Sequence, residues 1–424
     1  MTLPGTVTGV RGLSSRLGEP GWLADWRVRA FEHWQASQLP IRANHLWRYT
    51  DPATFDPAAF NPAGDPFAAG SDRLEIGPDV GRNGREDGGV RGGSGNDGQD
   101  VRGLILTDLA TAAREHPDLV RSTLGSVVGP EYGRFEALAS AAFRGGVFLR
   151  VPKGAVVPDP IHVTEQFGSN VFQASRLLVV VEEGASVTIV DELEGGLDRD
   201  ARIFSVAELV VGAQAQVQFV TLQRLGLKVQ AHITQVARLG RGAHYTPVLA
   251  SFGGALVKTN VGAILEGEGS QSEMTGFLSA VGRQRFDHHT LHHHIGRHTR
   301  SNLDYKTVLK DRSRSAYTGL IRIEKEAPFS DAYQENRNLL LSEHARVNSI
   351  PELEILTEEV QCTHGATVGP IDREHLFYLM SRAIPRDEAI RMVIEGHFES
   401  ALKRLPEALQ ERMRILVRER LRET

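Results

Sequence analysis

A single cysteine, Cys362, stands in 424 residues, and that scarcity removes several functions at once. One thiol cannot build an intramolecular disulfide framework, a C-x-x-C zinc site or an all-cysteine metal-cluster site within one chain. Any metal cluster held here borrows ligands from another chain or uses other residue types. An excess of one charge is missing too: 48 Lys plus Arg against 53 Asp plus Glu leave a formal net charge of −5. No basic face follows from that balance, so nucleic acid is disfavoured as a partner. No apolar run reaches the length that spans a bilayer, and the N-terminal MTLPGTVTGVRGLSS lacks the basic and apolar regions of a secretory signal. The expectation is a cytoplasmic protein with no membrane partner. Catalytic signatures are absent as well. There is no G-x-x-x-x-G-K-[ST] phosphate loop, no G-x-S-x-G elbow and no H-E-x-x-H zinc motif, so the chain reads as a component of a larger machine.

What is present falls into three stretches. Residues 1–144 are predicted mostly helical. Trp22, Trp26 and Trp34 sit at near-helical spacing after Pro20, which suits a helix's first turn, and their stripe is read as core packing. Trp47 follows within HLWRYTD. The glycine-rich segment at about 81–103 buries nothing and is expected to be a mobile loop, since its Asp and Asn residues lack the spacing of a calcium loop. Residues 145–369 change texture to short β-rich runs punctuated by Gly-Ala steps at Gly154, Gly184, Gly212 and Gly242, with a later one at Gly365. The first four lie 28 to 30 residues apart, which is a repeat signal. Alternation assigns Ala213, Ala215, Val217 and Phe219 to a buried face and Gln214, Gln216 and Gln218 to a wet one. Likewise Leu353 and Ile355 are assigned inward, Glu352 and Glu354 outward. Periodicity alone supports a β-rich repeat core of stacked coils. Residues 370–424 are predicted helical: Asp372 can cap one helix, Pro385 starts a second, and Leu405 to Leu421 form an Arg-rich amphipathic stretch. Taken alone, this last unit is expected to cap the solenoid's open end.

Two patches carry possible chemistry. Cys362 and His364 are separated by one residue ahead of Gly365. They could share an exposed turn, or point the same way from a strand toward one metal or sulfur atom. The bland alternative is a buried free cysteine beside a surface histidine. The run His288, His289, His292, His293 and His294 could bind a divalent metal; the competing reading is turn and surface histidines around a packed His294.

Longer strings add a family likeness. AYQENRNLLLSEHA at Ala332 to Ala345, PELEI at Pro351 to Ile355, CTHGATVG at Cys362 to Gly369 and LFYLMSRAIPRDEA at Leu376 to Ala389 form an ordered run. With HLWRYTD at His45 to Asp51 and DHHTLHHHIGRHTRS at Asp287 to Ser301, it resembles the SufB/SufD family of iron–sulfur cluster assembly proteins, most nearly its SufD branch. The resemblance implies a mainly β fold, a right-handed parallel β-helix core flanked by N-terminal and C-terminal α-helical units. It also implies a non-catalytic scaffold that pairs with a SufB-like subunit and docks a SufC-like ATPase through the C-terminal helices, with Phe377, Tyr378, Arg382 and Ile384 as contacts. Cys362, His364 and His294 become candidates for the cluster interface, with iron or a nascent iron–sulfur cluster held transiently there. No cofactor is expected to be held stably by the chain alone, and a flavin in the complex is left open. Two further readings are kept: a β-helical metal-dependent enzyme using His288 to His294, and a structural homodimer.

Overall fold

The computed structural model describes residues 6–60, 101–168, 171–195, 200–405 and 407–422. The glycine-rich segment expected to be mobile lies almost wholly outside the described residues, which resume at Val101.

The core is a parallel β-solenoid of about eight turns, each contributing one strand to each of two sheets. One wall stacks β2 (Gly145–Val151), β4 (Phe172–Val181), β6 (Arg202–Val211), β8 (Gln230–Leu239), β10 (Leu256–Leu265), β12 (Arg285–His294), β14 (Arg314–Ile323) and β16 (Arg346–Ile355). The other stacks β3 (Ile161–Phe167), β5 (Ser186–Gly195), β7 (Gln216–Leu225), β9 (His244–Ser251), β11 (Gln271–Ala280), β13 (Arg300–Leu309), β15 (Asp331–Leu340) and β17 (Gln361–Pro370). Parallel register stacks like positions into inward columns such as Leu149, Val179, Leu209, Ala237 and Ala263. Alternation assigns most of the faces as expected: Ala215, Val217 and Phe219 are buried and Gln214 and Gln216 exposed, while Gln218 is partly buried and Ala213, expected inward, is only partly buried because it lies in the turn before β7.

The Gly-Ala signal marks the coil turns, with one slip in register. Gly154, Gly184 and Gly242 occupy the left-handed conformation at φ of 69°, 69° and 63°. In the turn between β6 and β7 that conformation falls instead on Gln214, φ 59°, so the equivalent step is Gln214-Ala215 rather than Gly212-Ala213. Ala185, Ala215 and Ala243, each following the left-handed residue, are fully buried. Gly365-Ala366 is not a turn at all but lies within β17.

The N-terminal unit packs on the outer face of the first wall. β1 (Ile105–Asp108) pairs antiparallel with β2 and closes that edge. α1 (Val7–Arg16), α2 (Gly21–Ala36), α3 (Pro57–Phe60), α4 (Leu109–Glu115), α5 (Pro117–Thr123) and α6 (Arg134–Ala142) complete the unit. Its core, including Trp34, Trp47, Phe55 and Phe135, is continuous with Phe172, Phe204 and Val236 of the solenoid. Trp22 and Trp26 pack partly buried against the same cluster, as the tryptophan stripe implied.

The C-terminal helices correct an expectation. α7 (Arg373–Ser381) begins at Asp372, whose side chain accepts from the Glu374 amide; α8 (Arg386–Leu402) and α9 (Glu407–Arg422) follow. They do not cap the open end. Ile394, Phe398, Leu402, Leu409, Met413 and Val417 instead bury themselves along the second wall against Val190, Leu222, Val248 and Phe277. Arg412 forms an ion pair with the buried Glu192 on β5, fixing that side-on position. Several outward positions beneath these helices, among them Val190, Leu222, Val248 and Phe277, are apolar, so the helices remove that surface from water by lying lengthwise on the wall.

Candidate functional site

The last coil is open. β16 and β17 stand at the ends of their sheets and are hydrogen-bonded to a neighbouring strand on one side only. Among the described residues, no further strand stacks above the inward columns of this coil. Leu353 and Ile355 do stack over the buried Ile321 and Ile323, as alternation assigned them, yet Ile355 is 39% exposed. Leu356 and Val368 are exposed at the same end.

Cys362 and His364 belong to this open coil. Both lie on β17, not on a turn, in register with Ala332 and Gln334 of β15, which are buried inward positions. Their side chains therefore share one face of the strand. Cys362 is half-buried against Ile321, Ile323, Ala327 and Ala332. That burial, with the Asp331 carboxylate adding to it, pushes the thiol up to about 11, so Cys362 is a thiol at neutral pH. His364 is exposed.

His294 is not part of this pair. It projects inward from β12 and is held between Thr299 Oγ1 at 2.8 Å and Ser301 Oγ at 2.9 Å. Ser301 is in register with Ala332 and then Cys362, which puts His294 two rungs below, about 10 Å at the spacing of neighbouring strands. The rest of the histidine run divides by the same alternation. His288 and His292 face inward, bonded to Tyr305 Oη and to Ser272 Oγ at 3.1 Å. His289 and His293 face outward to Asp287 at 2.9 Å and Glu324 at 2.7 Å. Rings on opposite faces of one strand cannot converge on one ion. Among the described residues, no group of three or more His, Cys, Asp and Glu side chains is arranged to hold a metal.

Burial pushes His288 and His292 down to about 3 and His294 to about 4, which keeps all three neutral.

Asp287 does a different job. Thr50 of HLWRYTD hydrogen-bonds its carboxylate, Lys258 Nζ lies 3.4 Å away, and the Leu46 carbonyl accepts from the same ammonium. Burial pushes the Asp287 carboxyl up, but His289, Lys258 and Thr50 together hold it well below the usual carboxylate range. Two motifs some 240 residues apart in sequence thus meet, and Trp47 stacks on His232 at 5.7 Å beside them. Lys258 carried no sequence signal: an isolated lysine in a strand looks like a solvated outward position. The third candidate surface is α7, which buries none of its residues. Phe377 is 74% and Tyr378 57% exposed; Arg382 lies over the Tyr378 ring at 5.3 Å, and Ile384 is partly exposed.

Comparison with known proteins places these features. The family model for the SUF system FeS cluster assembly SufBD core domain matches residues 163–397. The iron–sulfur cluster assembly protein SufD of Bacillus subtilis is 32% identical over 310 residues, covering 72% of this chain and 71% of its own length. SufB of the same organism is 26% identical over an alignment covering 94% and 89%. An iron–sulfur cluster assembly SufBD family protein of Staphylococcus haemolyticus is likewise 26% identical over 94% and 89%.

Proposed function

This chain belongs to the SufB/SufD family of the SUF iron–sulfur cluster assembly system, and on that premise we propose that it is a SufD-type scaffold subunit working in the cytoplasm. Its open coil pairs with a SufB-like subunit, and α7 docks a SufC-like ATPase that supplies the ATP hydrolysis. The lone cysteine, too few thiolates to ligate a cluster alone, favours that branch.

The observation that carries the reading is the open coil itself. Two adjacent strands present unpaired backbone edges, and Ile355, Leu356 and Val368 add exposed apolar surface to them. Such edges are templates for pairing, and a second solenoid end would satisfy both at once. Cys362 and His364 would then face the joint. Iron or a nascent cluster is the cargo, with His364 a neutral imidazole ligand and the partner supplying most thiolates. Because Cys362 is protonated at neutral pH, its contribution needs the metal to displace the proton. A second copy could occupy the same edges when the partner is absent, which is the homodimer reading. ATP-driven closure of docked ATPases would pull on α7, and through α8 and α9 on the second wall.

The test is co-expression with SufB-like and SufC-like proteins, purification through this subunit, and native mass spectrometry. Deleting 370–424 would strip the apolar second wall, so the cleaner variant is Phe377→Ala with Tyr378→Ala on exposed α7. A three-component complex that loses only its ATPase in this variant supports the reading. A homodimer that ignores both partners sinks it. In the reconstituted complex, unchanged cluster assembly by His364→Ala removes the ligand role.

A further inference from the structure

Charge is unevenly placed on the solenoid. Several outward arginines on its strands are matched: Arg150 has Glu182 at 2.7 Å, Arg224 has Glu194 at 2.6 Å, Arg300 has Asp331 at 3.3 Å and Arg337 has Glu335 at 2.8 Å. One row is not. Arg285, Arg314 and Arg346 are the first residues of β12, β14 and β16, stand in direct register on the outer face of the first wall, and are all exposed.

The turns leading into these strands add Arg283, Lys310 and Arg312. The Arg312 amide donates to the Gly282 carbonyl, so Arg283 and Arg312 also occupy neighbouring rungs, and both are exposed. Among the described residues, Arg283, Arg285, Arg312 and Arg314 form no ion pair, and Arg346 donates only to the backbone carbonyls of Glu343 and Ala345. Segments 281–285, 310–314 and 342–346 together carry six cations against two carboxylates, Asp311 and Glu343, in a chain whose formal net charge is −5. One of those carboxylates is engaged already, since Asp311 accepts from the Gly282 amide at 2.9 Å. Like charges facing each other on adjacent strands work against the fold, and an anion laid along the row relieves them.

Spacing selects the anion. Three rungs about 4.8 Å apart span about 9.6 Å, while residues i and i+7 of an α-helix lie about 10.5 Å apart with i+3 or i+4 between them. One helix face thus keeps a carboxylate beside each arginine. An extended strand repeats its face about every 6.8 Å and is about 4 Å out of step by the third rung. The guanidinium fork matches the two oxygens of a carboxylate. Nucleic acid fits less well, because even one DNA-reading module buries roughly 600 Å² or more and this row is only about 10 Å long. We infer that Arg285, Arg314 and Arg346 are a docking row for the acidic face of an α-helix of a partner protein lying along the solenoid axis, with Arg283 and Arg312 flanking it. The row ends on β16, so the docked helix reaches the edge strand of the open coil. The inference does not rest on the scaffold reading.

The probe is a fluorescein-labelled, alanine-based peptide of about 20 residues with glutamates at i, i+3 and i+7 along one helix face, titrated into the full chain by fluorescence anisotropy at about 50 mM salt. A second peptide of the same composition spreads its glutamates round all faces. The one-face peptide is expected to bind about tenfold more tightly, as three exposed ion pairs would give, and the preference should fade as salt is raised. Arg285→Glu with Arg314→Glu should abolish that preference and instead favour the peptide with lysines in place of the glutamates. Arg241→Glu with Arg297→Glu, an equal charge change on the turns from the first wall to the second, should alter binding by less than about twofold. Equal binding of the two glutamate peptides overturns the inference, as does a preference that survives Arg285→Glu with Arg314→Glu. Tighter binding of an oligothymidylate of about ten nucleotides than of the one-face peptide overturns it in favour of nucleic acid. Failure of every probe to bind overturns it too, because the row is then only solvated.

Discussion

Glu208→Ala should be among the most damaging single substitutions outside the open coil. Glu208, on β6, is fully buried and faces the N-terminal unit. Its carboxylate accepts from Arg176 Nη2 at 2.7 Å and from the amides of Gly125, Val127 and Val128 at 2.8, 3.4 and 3.2 Å. Arg176, itself 1% exposed, also donates to Ser140 Oγ and the Val128 carbonyl. Removing the carboxylate leaves a guanidinium in a dry site without its counter-charge and strands three amide donors. Breaking one side of a buried pair costs about 3–5 kcal/mol, a large part of the roughly 5–15 kcal/mol that holds a typical protein folded. All four tryptophans, at 22, 26, 34 and 47, lie in the N-terminal unit, and Trp26 sits 5.2 Å from the Arg176 guanidinium. Tryptophan fluorescence in a urea titration therefore reports the region where the damage falls. With a slope of about 3 kcal/mol/M, the midpoint should drop by about 1–1.7 M. Arg176→Met alone and the double substitution close a cycle whose coupling term isolates the ion pair from the amide bonds. A loss under about 1 kcal/mol for Glu208→Ala would refute the reasoning, because it would mean Arg176 reaches water or another acceptor at little cost.

Two further outcomes follow from titratable groups inside the solenoid. Burial pushes the Glu165 carboxyl up to about 7, even though Ser175 and Ser205 donate to it. Between about 4.5, where the unfolded chain releases that proton, and 7, the folded state binds more protons, so stability falls as pH rises through this window. The loss is about 3 kcal/mol, complete above pH 7, and Glu165→Gln should remove it; equal pH dependence of melting in both proteins between pH 5 and 8 would contradict the assignment. Cys362, pushed up to about 11, should react with iodoacetamide on the order of a hundredfold more slowly than a free thiol at pH 7.5, with the rate still climbing tenfold per unit at pH 9.5. A plateau near pH 8.5 would show that its burial is transient.

The repeat core was legible because a parallel solenoid is periodic in the quantity a sequence displays. Each strand alternates, as at Gln214 to Phe219, and several turns from the first wall to the second place one residue in the left-handed conformation followed by a small one. Gly154, Gly184 and Gly242 meet that need in the usual way. Gln214 meets it without glycine, which is why the Gly-Ala spacing shortened to 28 at that point although the coil did not. The open coil was legible only in part. Alternation assigned Ile355 inward correctly, but whether a column is covered depends on what stacks above it, which no local pattern encodes.

Long-range placement escaped for the same reason. An amphipathic stripe such as Leu405 to Leu421 shows that a helix will bury one face, not which surface it will meet, and the outward apolar positions Val190, Leu222 and Val248 on distant strands decided in favour of the second wall. The histidine run misled through its density. Five rings in seven residues suggest one shared ligand, yet on a strand they divide between two environments, and each environment supplies its own partners: Tyr305, Ser272, Thr299 and Ser301 inside, Asp287 and Glu324 outside. Cys362 and His364 differ from that run because they sit on the last rung. Their column has buried partners below and, among the described residues, no strand above, so whatever meets the open edges also completes their surroundings. On the proposed reading, the residues that would hold a cargo are the ones this coil leaves half-finished.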